Sequence, residues 1–473
     1  MMRIVWLLAC WGLWGMPLLA QDTTDVHVVQ IVHADSSVGE VREGQRIRKL
    51  LGHVRLRQED AEVYAQQAIQ YVDTRLFELA GRVVIIDQGR DTLQAPVILY
   101  SEQARRGEAE GGIRYTDGEV TVVAPKAVYD LVRKEIYFSE GVRLRDSVST
   151  LTSRQGIYRI KPREAFFWGD VHLLQDDVHI QADTLVHQRT LGETRAHGRV
   201  ALYKVRPDSS QLDVLMGHSL YYRRPEAWGR VEGRPLWVRL SREDGRLDTL
   251  LLRAQRFEIQ RTDSVEKVFA TGDVRLWRET LAARMDSAAY IQFVDTTRSD
   301  RLGLFRHPRG WVRRNQVVGD TIEVYLTRSH PNVMHVHQNV YVGLADSVLT
   351  RVHQAKGKQM TGFFRADTLR EVVLSSNVEA IYFLKEGDSL AGAVTLSADT
   401  LRIHLTGERP ERIKALRGIA GTYYEKRLIP EDLKLKGFRW MEEERPSKKE
   451  LLNVPHWMNE LLQRLVHILR GAS

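Results

Sequence analysis

The chain has 473 residues, 43% apolar and 27% charged, with a net charge of +8 and one cysteine. That length suits several ordinary domains or one long repetitive one. Its 69 basic residues are mixed closely with 61 acidic ones and form no basic block of the nucleic-acid-arm type, so no nucleic acid is expected as a partner.

Residues 1–20 read as a secretory signal peptide. Arg3 supplies the positive start, Ile4 to Leu19 is apolar, and Ala20 stands at the cleavage position before Gln21-Asp22. The run is short for a helix that crosses a bilayer, which needs about 20 residues. Cys10 lies inside it, in Leu7-Leu8-Ala9-Cys10. This resembles a lipoprotein acylation box, but the apolar stretch runs on for roughly ten more residues, where a true box would end it. Cleavage after Ala20 leaves a mature chain without thiols. Disulfides, thiolate catalysis and cysteine-ligated metals are then excluded. An exported basic protein meets anionic lipids, phosphorylated glycolipids and acidic polysaccharides.

From residue 25 to 424 one phrase recurs. It runs Gly, any residue, a β-branched residue, alternation, a polar turn, more alternation, then a small residue near Asp. It starts at Gly52-His-Val-Arg-Leu, Gly81-Arg-Val-Val-Ile, Gly112-Ile-Arg-Tyr and Gly141-Val-Arg-Leu. It returns at Gly169-Asp-Val-His-Leu, Gly198-Arg-Val-Ala-Leu and Gly272-Asp-Val-Arg-Leu. Gly229-Arg-Val and Gly310-Trp-Val are weaker copies, and Asn339-Val-Tyr-Val and Asn377-Val-Glu-Ala carry Asn in place of Gly. The middles echo one another in Ala182-Asp-Thr-Leu, Ala366-Asp-Thr-Leu and Ala398-Asp-Thr-Leu, with Ala34-Asp35, Ala124-Pro125 and Gly319-Asp320 in comparable slots. Polar insertions at Val205 to Asp213 and Ser241 to Asp248 read as longer hairpin tips.

Period-two alternation in Val83-Ile85, Val178-Ile180-Ala182 and Val340-Val342 predicts strands. Gly or Asn at the unit starts suits a tight turn with positive φ. A unit of two or three strands cannot close a core alone, so neighbours must stack. The fold expected is all-β: an elongated antiparallel jellyroll or taco of stacked repeats over 25–424. A charged linker and an amphipathic helix follow in 425–473.

These features resemble the OstA-like family, which includes the lipopolysaccharide-transport proteins LptA and LptC and the N-terminal domain of LptD. The signal peptide, the Gly-x-Val-x-Leu starts and the Ala-Asp-x-Leu middles carry the likeness over about residues 26–424. Leu435-Lys-Gly-Phe-Arg-Trp with Arg445-Pro446 resembles the ending of long members from Bacteroidetes-type bacteria. The resemblance implies a periplasmic β-jellyroll that carries the acyl chains of lipopolysaccharide, or another anionic glycolipid, in an apolar interior. It also implies strand pairing with other lipopolysaccharide-transport proteins and a part in outer-membrane assembly. The chain departs from the family in its length, in its irregular later units and in lacking a run of barrel strands. The groove candidates are Val54, Val83, Ile85, Val171, Leu173, Val178, Ile180, Ala182, Val200 and Val274.

The other readings are a packed structural or adhesive envelope scaffold and, behind it, a polysaccharide-active enzyme. No Gly-x-Ser-x-Gly, His-Glu-x-x-His or phosphate-binding glycine loop is present, so neither catalytic residue nor cofactor is expected. His335 and His337 share a strand face at a spacing that can chelate a metal, with His330 as a loose third ligand, but an exposed face explains them without one. Around Gly169, a two-residue turn at Gln175-Asp176 pairs His172 with His179 and Val171 with Ile180. The histidines then face outward, and no metal is expected. Tyr64, Tyr71, Tyr100, Tyr115, Tyr129, Tyr158 and Tyr290 fall near strand ends, as rim tyrosines do.

Beyond the linker, Trp457, Leu461, Leu465 and Leu469 fall at helical spacing, with Leu462, Val466 and Ile468 widening the stripe. Two fates are open to it: a cap folded back on the last sheet, or docking to an outer-membrane partner or the membrane surface.

Overall fold

The computed structural model describes residues 28–471 except 176, 206–210, 244–245, 328–329, 347 and 408. The expected signal peptide and Cys10 lie outside the described residues. Two compact units divide the chain, Met1–Gly107 and Glu108–Ser473. Strands dominate both, and all the pairings are antiparallel, as in Gln45–Gln58 against Ala61–Tyr71 and Glu164–Gln175 against Val178–Gln188.

The glycines do not sit where the sequence placed them. Gly52 and Gly169 lie in the middle of continuous strands, Gln45–Gln58 and Glu164–Gln175, where the register skips between Leu51 and Val54 and between Trp168 and Val171. Two consecutive residues there take positive φ, 78° at Gly169 and 50° at Asp170. The strand thus turns a corner instead of ending. The small residue near Asp is the matching corner on the adjacent strand: a Cβ on Gly198 would lie 2.3 Å from Asp183 Oδ2. The Gly phrase and the Ala-Asp phrase are two halves of one bend.

Each corner divides its strand into two arms. The first arm runs from the glycine through the polar hairpin and back to the small residue. The second runs on through another hairpin to the next glycine. Four details of the sequence reading are corrected by this geometry. The weaker copies at Gly229 and Gly310 lie within arms, whereas the positive-φ pairs are Gly233-Arg234 and Arg306-His307. Ala366-Asp367 forms a hairpin turn between Arg351–Arg365 and Thr368–Glu386, because both residues take positive φ outside any ladder. Asn339 and Asn377 take the second corner position, after Gln338 and Ser376, and not the glycine's. The fourth is the hairpin after Gly169, where Gln175 pairs with Val178, Leu174 with His179 and His172 with Gln181. The register is two residues away from the expected one. A slip of two keeps every side chain on its face, so His172 and His179 still point outward, but diagonally. His179 stacks on Tyr203 at 4.8 Å.

The C-terminal segment runs back along the outward face of the first arms of the second unit. Phe438 and Trp440 pack where a Cβ on Gly343 would sit. Gln316 donates to the Arg439 carbonyl and accepts from the Met441 amide, both at 2.7 Å. Glu444 pairs with Arg309 and Glu450 with Arg275. A capping box at Ser447 and Glu450 starts the short helix Lys448–Leu451. The helix His456–Gly471 then lays Met458, Leu461 and Leu465 on Ala201, Leu212, Val214, Met216, Val238 and Leu251. Trp457, Leu462 and Val466 widen that contact as the spacing predicted, whereas the side chains of Ile468 and Leu469 lie outside the described residues. Among the described residues, the stripe from Trp457 to Val466 is covered by the protein's own sheet. It folds back on the middle of the second unit, not on the last strands. No described helix is long and apolar enough to cross a membrane.

Candidate functional site

The candidate site is the apolar space between the two arms. In the first unit Val54, Val83 and Ile85 point inward and are buried. In the second, Val171, Leu173, Ile180, Ala182, Val200 and Val274 are buried, and Val178 is half-buried beside the hairpin tip. Their placement follows from alternation: once the corner fixes one inward residue, every second residue follows it. In each unit these residues thus form rows along the inner faces of neighbouring strands.

One apolar pocket lies between the arms in one stretch of the second unit. It is lined by Leu276, Leu281, Ala283, Gly310, Val312 and Val317 from the first arms. Leu302, Leu304, Ile322, Val324 and Met334 line it from the second arms. A Cβ on Gly310 would meet its nearest atom, Ile322 Cδ1, at 3.7 Å, an ordinary contact. Small residues at Ala283 and Gly310 therefore leave unfilled space between the sheets. Of the expected groove residues, Val274 lies nearest in sequence to this pocket.

At the edge farthest from the corners, polar side chains bridge the arms. Asp117, on a first-arm hairpin, accepts from the Tyr158 hydroxyl at 2.6 Å and from Arg189 Nη1 at 2.7 Å, both at second-arm ends. Arg189 also donates to Glu119 at 2.5 Å. Tyr115 packs against Tyr158 with ring centroids 5.3 Å apart. Burial acts to raise the Asp117 pKa. Hydrogen bonds from Tyr158 and the Val120 and Glu119 amides, with the charge of Arg189, outweigh it and hold the carboxyl below its ordinary value. Burial, then the neighbouring carboxylate, pushes the Tyr158 hydroxyl up.

A second bridge is built on Arg239, which is buried although it sits in the run Leu236-Trp-Val-Arg-Leu. Its Nε donates to Asp213 at 2.7 Å and its Nη1 to the Tyr290 hydroxyl at 3.1 Å, and Tyr290 donates to Asp300 at 2.9 Å. Burial alone would lower the Arg239 pKa, but Asp213 and Tyr290 raise it, so the guanidinium stays charged. The first unit carries a simpler version, in which Tyr100 donates to Gln58 and Arg105 pairs with Glu59. Burial pushes Tyr100 up to about 12.

The sequence reading placed Tyr100, Tyr158 and Tyr290 at rims but missed what their hydroxyls hold. A lone Arg inside an apolar strand was the available signal at Arg239, because a buried cation needs a partner. The histidines do not converge. His335 and His337 share an outward face with centroids 6.3 Å apart, while His330 turns to Asp367 at 2.9 Å. Among the described residues, no three His, Cys, Asp or Glu side chains are placed to hold a metal.

Against known families, the model described as OstA-like protein matches residues 26–183. No curated protein matches the chain.

Proposed function

We propose, from the premise that the chain belongs through residues 26–183 to the OstA-like family, that it is a periplasmic lipid carrier. The family is of the periplasmic, lipopolysaccharide-transport type. On this reading the acyl chains of lipopolysaccharide, or of a similar anionic glycolipid, lie between the two arms. The observation that carries it is the repeated inward row of Val, Leu, Ile and Ala, with unfilled apolar space at Gly310 and Ala283. A lipid tail leaving water gains about 0.8 kcal/mol for each buried CH₂. Near-identical units therefore offer near-identical sites, and a tail can pass from one to the next without a deep trap. No catalytic step is needed for this task.

Partners of the same transport type would join by strand pairing. Gln30–His33 and Ser36–Arg42 each pair with Gln45–Gln58 on one side, and Ala420–Glu425 pairs with Ser389–Thr406 on one side. Such edges accept a further strand through backbone hydrogen bonds. Exposed Val38 and Val41 on the first edge supply apolar contacts to an added strand.

A packed scaffold is the second reading, favoured by the near-complete burial of the inward residues and by the bridges between the arms. Site-specific photocrosslinking separates the two. A photoreactive residue at Val171 or Ile180 should capture lipopolysaccharide, whereas one at His172 on the outward face should not. Capture only from His172 ends the carrier reading.

A further inference from the structure

We propose that the tyrosine–carboxylate–arginine bridges are latches, and that a lipid chain reaches the space between the arms only when they part. This rests on the carrier reading and adds the control of its site. The geometry is that of a fastening across an opening. Asp117 and Glu119 come from one side, Tyr158 and Arg189 from the other, and the groups lie at the ends of the arms, opposite the corners. Arg239, reaching from Asp213 to Tyr290 and on through it to Asp300, repeats the design further along the same unit.

The polar character of these groups suits an edge that opens. If the edge served packing alone, apolar residues of similar size would close it at least as well, because a buried ion pair loses much of its attraction to desolvation. A polar bridge differs from an apolar zipper in how it opens. When the arms separate, water solvates Asp117, Tyr158 and Arg189, so the open state keeps most of their hydrogen-bonding energy. An apolar edge would instead expose its whole area to water. The bridges thus give a closed edge that opens at moderate cost, while the interior behind it stays apolar.

The bridges repeat along the chain with one shared element. A tyrosine hydroxyl is the bridging atom each time: Tyr100 to Gln58 in the first unit, Tyr158 and Tyr290 in the second. Among the described residues, the C-terminal segment packs on the outward face of the first arms and not on this edge.

The test uses the full mature chain and a dansyl-labelled undecanoic acid, whose emission rises in apolar surroundings. Tyr158→Phe removes one hydroxyl and leaves the Asp117–Arg189 pair, so the fold should survive, as circular dichroism will show. Uptake should be about tenfold faster than in the unaltered protein. In the double variant D117C/Y158C, bridged by a reducible bismaleimide, uptake should fall at least tenfold and return when the linker is cleaved. If the bridged protein takes up the probe as fast as the unbridged one, or Tyr158→Phe is no faster, the latch is wrong and the carrier reading stands. If unaltered, Tyr158→Phe and cleaved proteins all fail to take up the probe, the carrier reading falls and the latch falls with it.

Discussion

Two neighbouring repeats of the second unit print the same phrase and differ mainly on one face. After Gly169, the outward residues are His172 and Leu174 with Gln181 and His179 opposite; after Gly198 they are Ala201 and Tyr203 with Met216 and Val214 opposite. Inward, both keep aliphatic residues, Val171 and Leu173 in one and Val200 and Leu202 in the other. The helix His456–Gly471 accounts for the difference, because it covers Ala201, Val214 and Met216, whereas His172 is exposed. The inward pattern therefore reports the repeat, and the outward pattern reports what lies on top of it. The unit after Gly198 is thus a repeat adapted to carry the C-terminal helix.

The largest test removes that cover. A chain ending at Glu425 loses the burial of Leu451, Met458, Leu461 and Leu465, each worth about 1.5–3 kcal/mol. A loss on the order of 6 kcal/mol is expected. It should show as a lower denaturation midpoint and binding of an apolar dye by the newly exposed Leu212, Val214 and Leu240. A truncated chain as stable as the full one would mean that the covered face is stable without its strap.

A single substitution asks the same question at equivalent positions. Ala201→Arg restores the polar pattern of the preceding repeat but places a charge beneath the helix, where about 3 kcal/mol should be lost. His172→Arg, at the matching exposed position, should change stability by less than about 0.5 kcal/mol. Equal effects measured by urea denaturation would end the comparison.

How far the sequence could be read follows from the same two faces. The strands, the inward rows at Val171, Ile180 and Val200, and the repeat itself were legible because alternation and a fixed phrase report local geometry. The corner was misread as a turn because positive φ at Gly169 suits both, and only the partner strand distinguishes them. The bridges were beyond reach for a different reason. Asp117 and Arg189 are 72 residues apart, and no local pattern states which rim residues meet across a cleft. The helix stripe was legible, but its target, some 250 residues earlier at Ala201 and Leu212, was not.

Corner and arm can be separated by a methyl group. Gly198 has φ of 70°, and its added Cβ would lie 2.3 Å from Asp183 Oδ2 and 2.9 Å from Asp183 Cβ. Gly198→Ala should therefore cost about 1–2 kcal/mol, the penalty of a side chain in the left-handed region, plus the displacement of Asp183. Gly310 stands in an arm with ordinary φ and room for a Cβ, so Gly310→Ala should be neutral or stabilising, by up to about 1 kcal/mol. A thermal melt of each variant ranks them, and the reverse order would refute the corner as the fixed point of the repeat.

The smallest effect belongs to the uncovered stretch and appears only on acidification. The Asp117 carboxyl is held below its ordinary pKa in the folded protein, so the folded state binds its proton less readily than the unfolded chain does. The stabilisation is complete above the unfolded value of about 4 and is lost as pH falls through the depressed folded value. Asp117→Asn removes the titrating group and leaves Arg189 paired with Glu119. Urea midpoints of the two proteins should differ at pH 7, with the unaltered chain the more stable, and draw together below about pH 4. A gap that stays constant down to pH 3 would mean that Asp117 contributes through shape and not through its charge. The bridge to Arg189 would then be a consequence of the fold and not one of its fastenings.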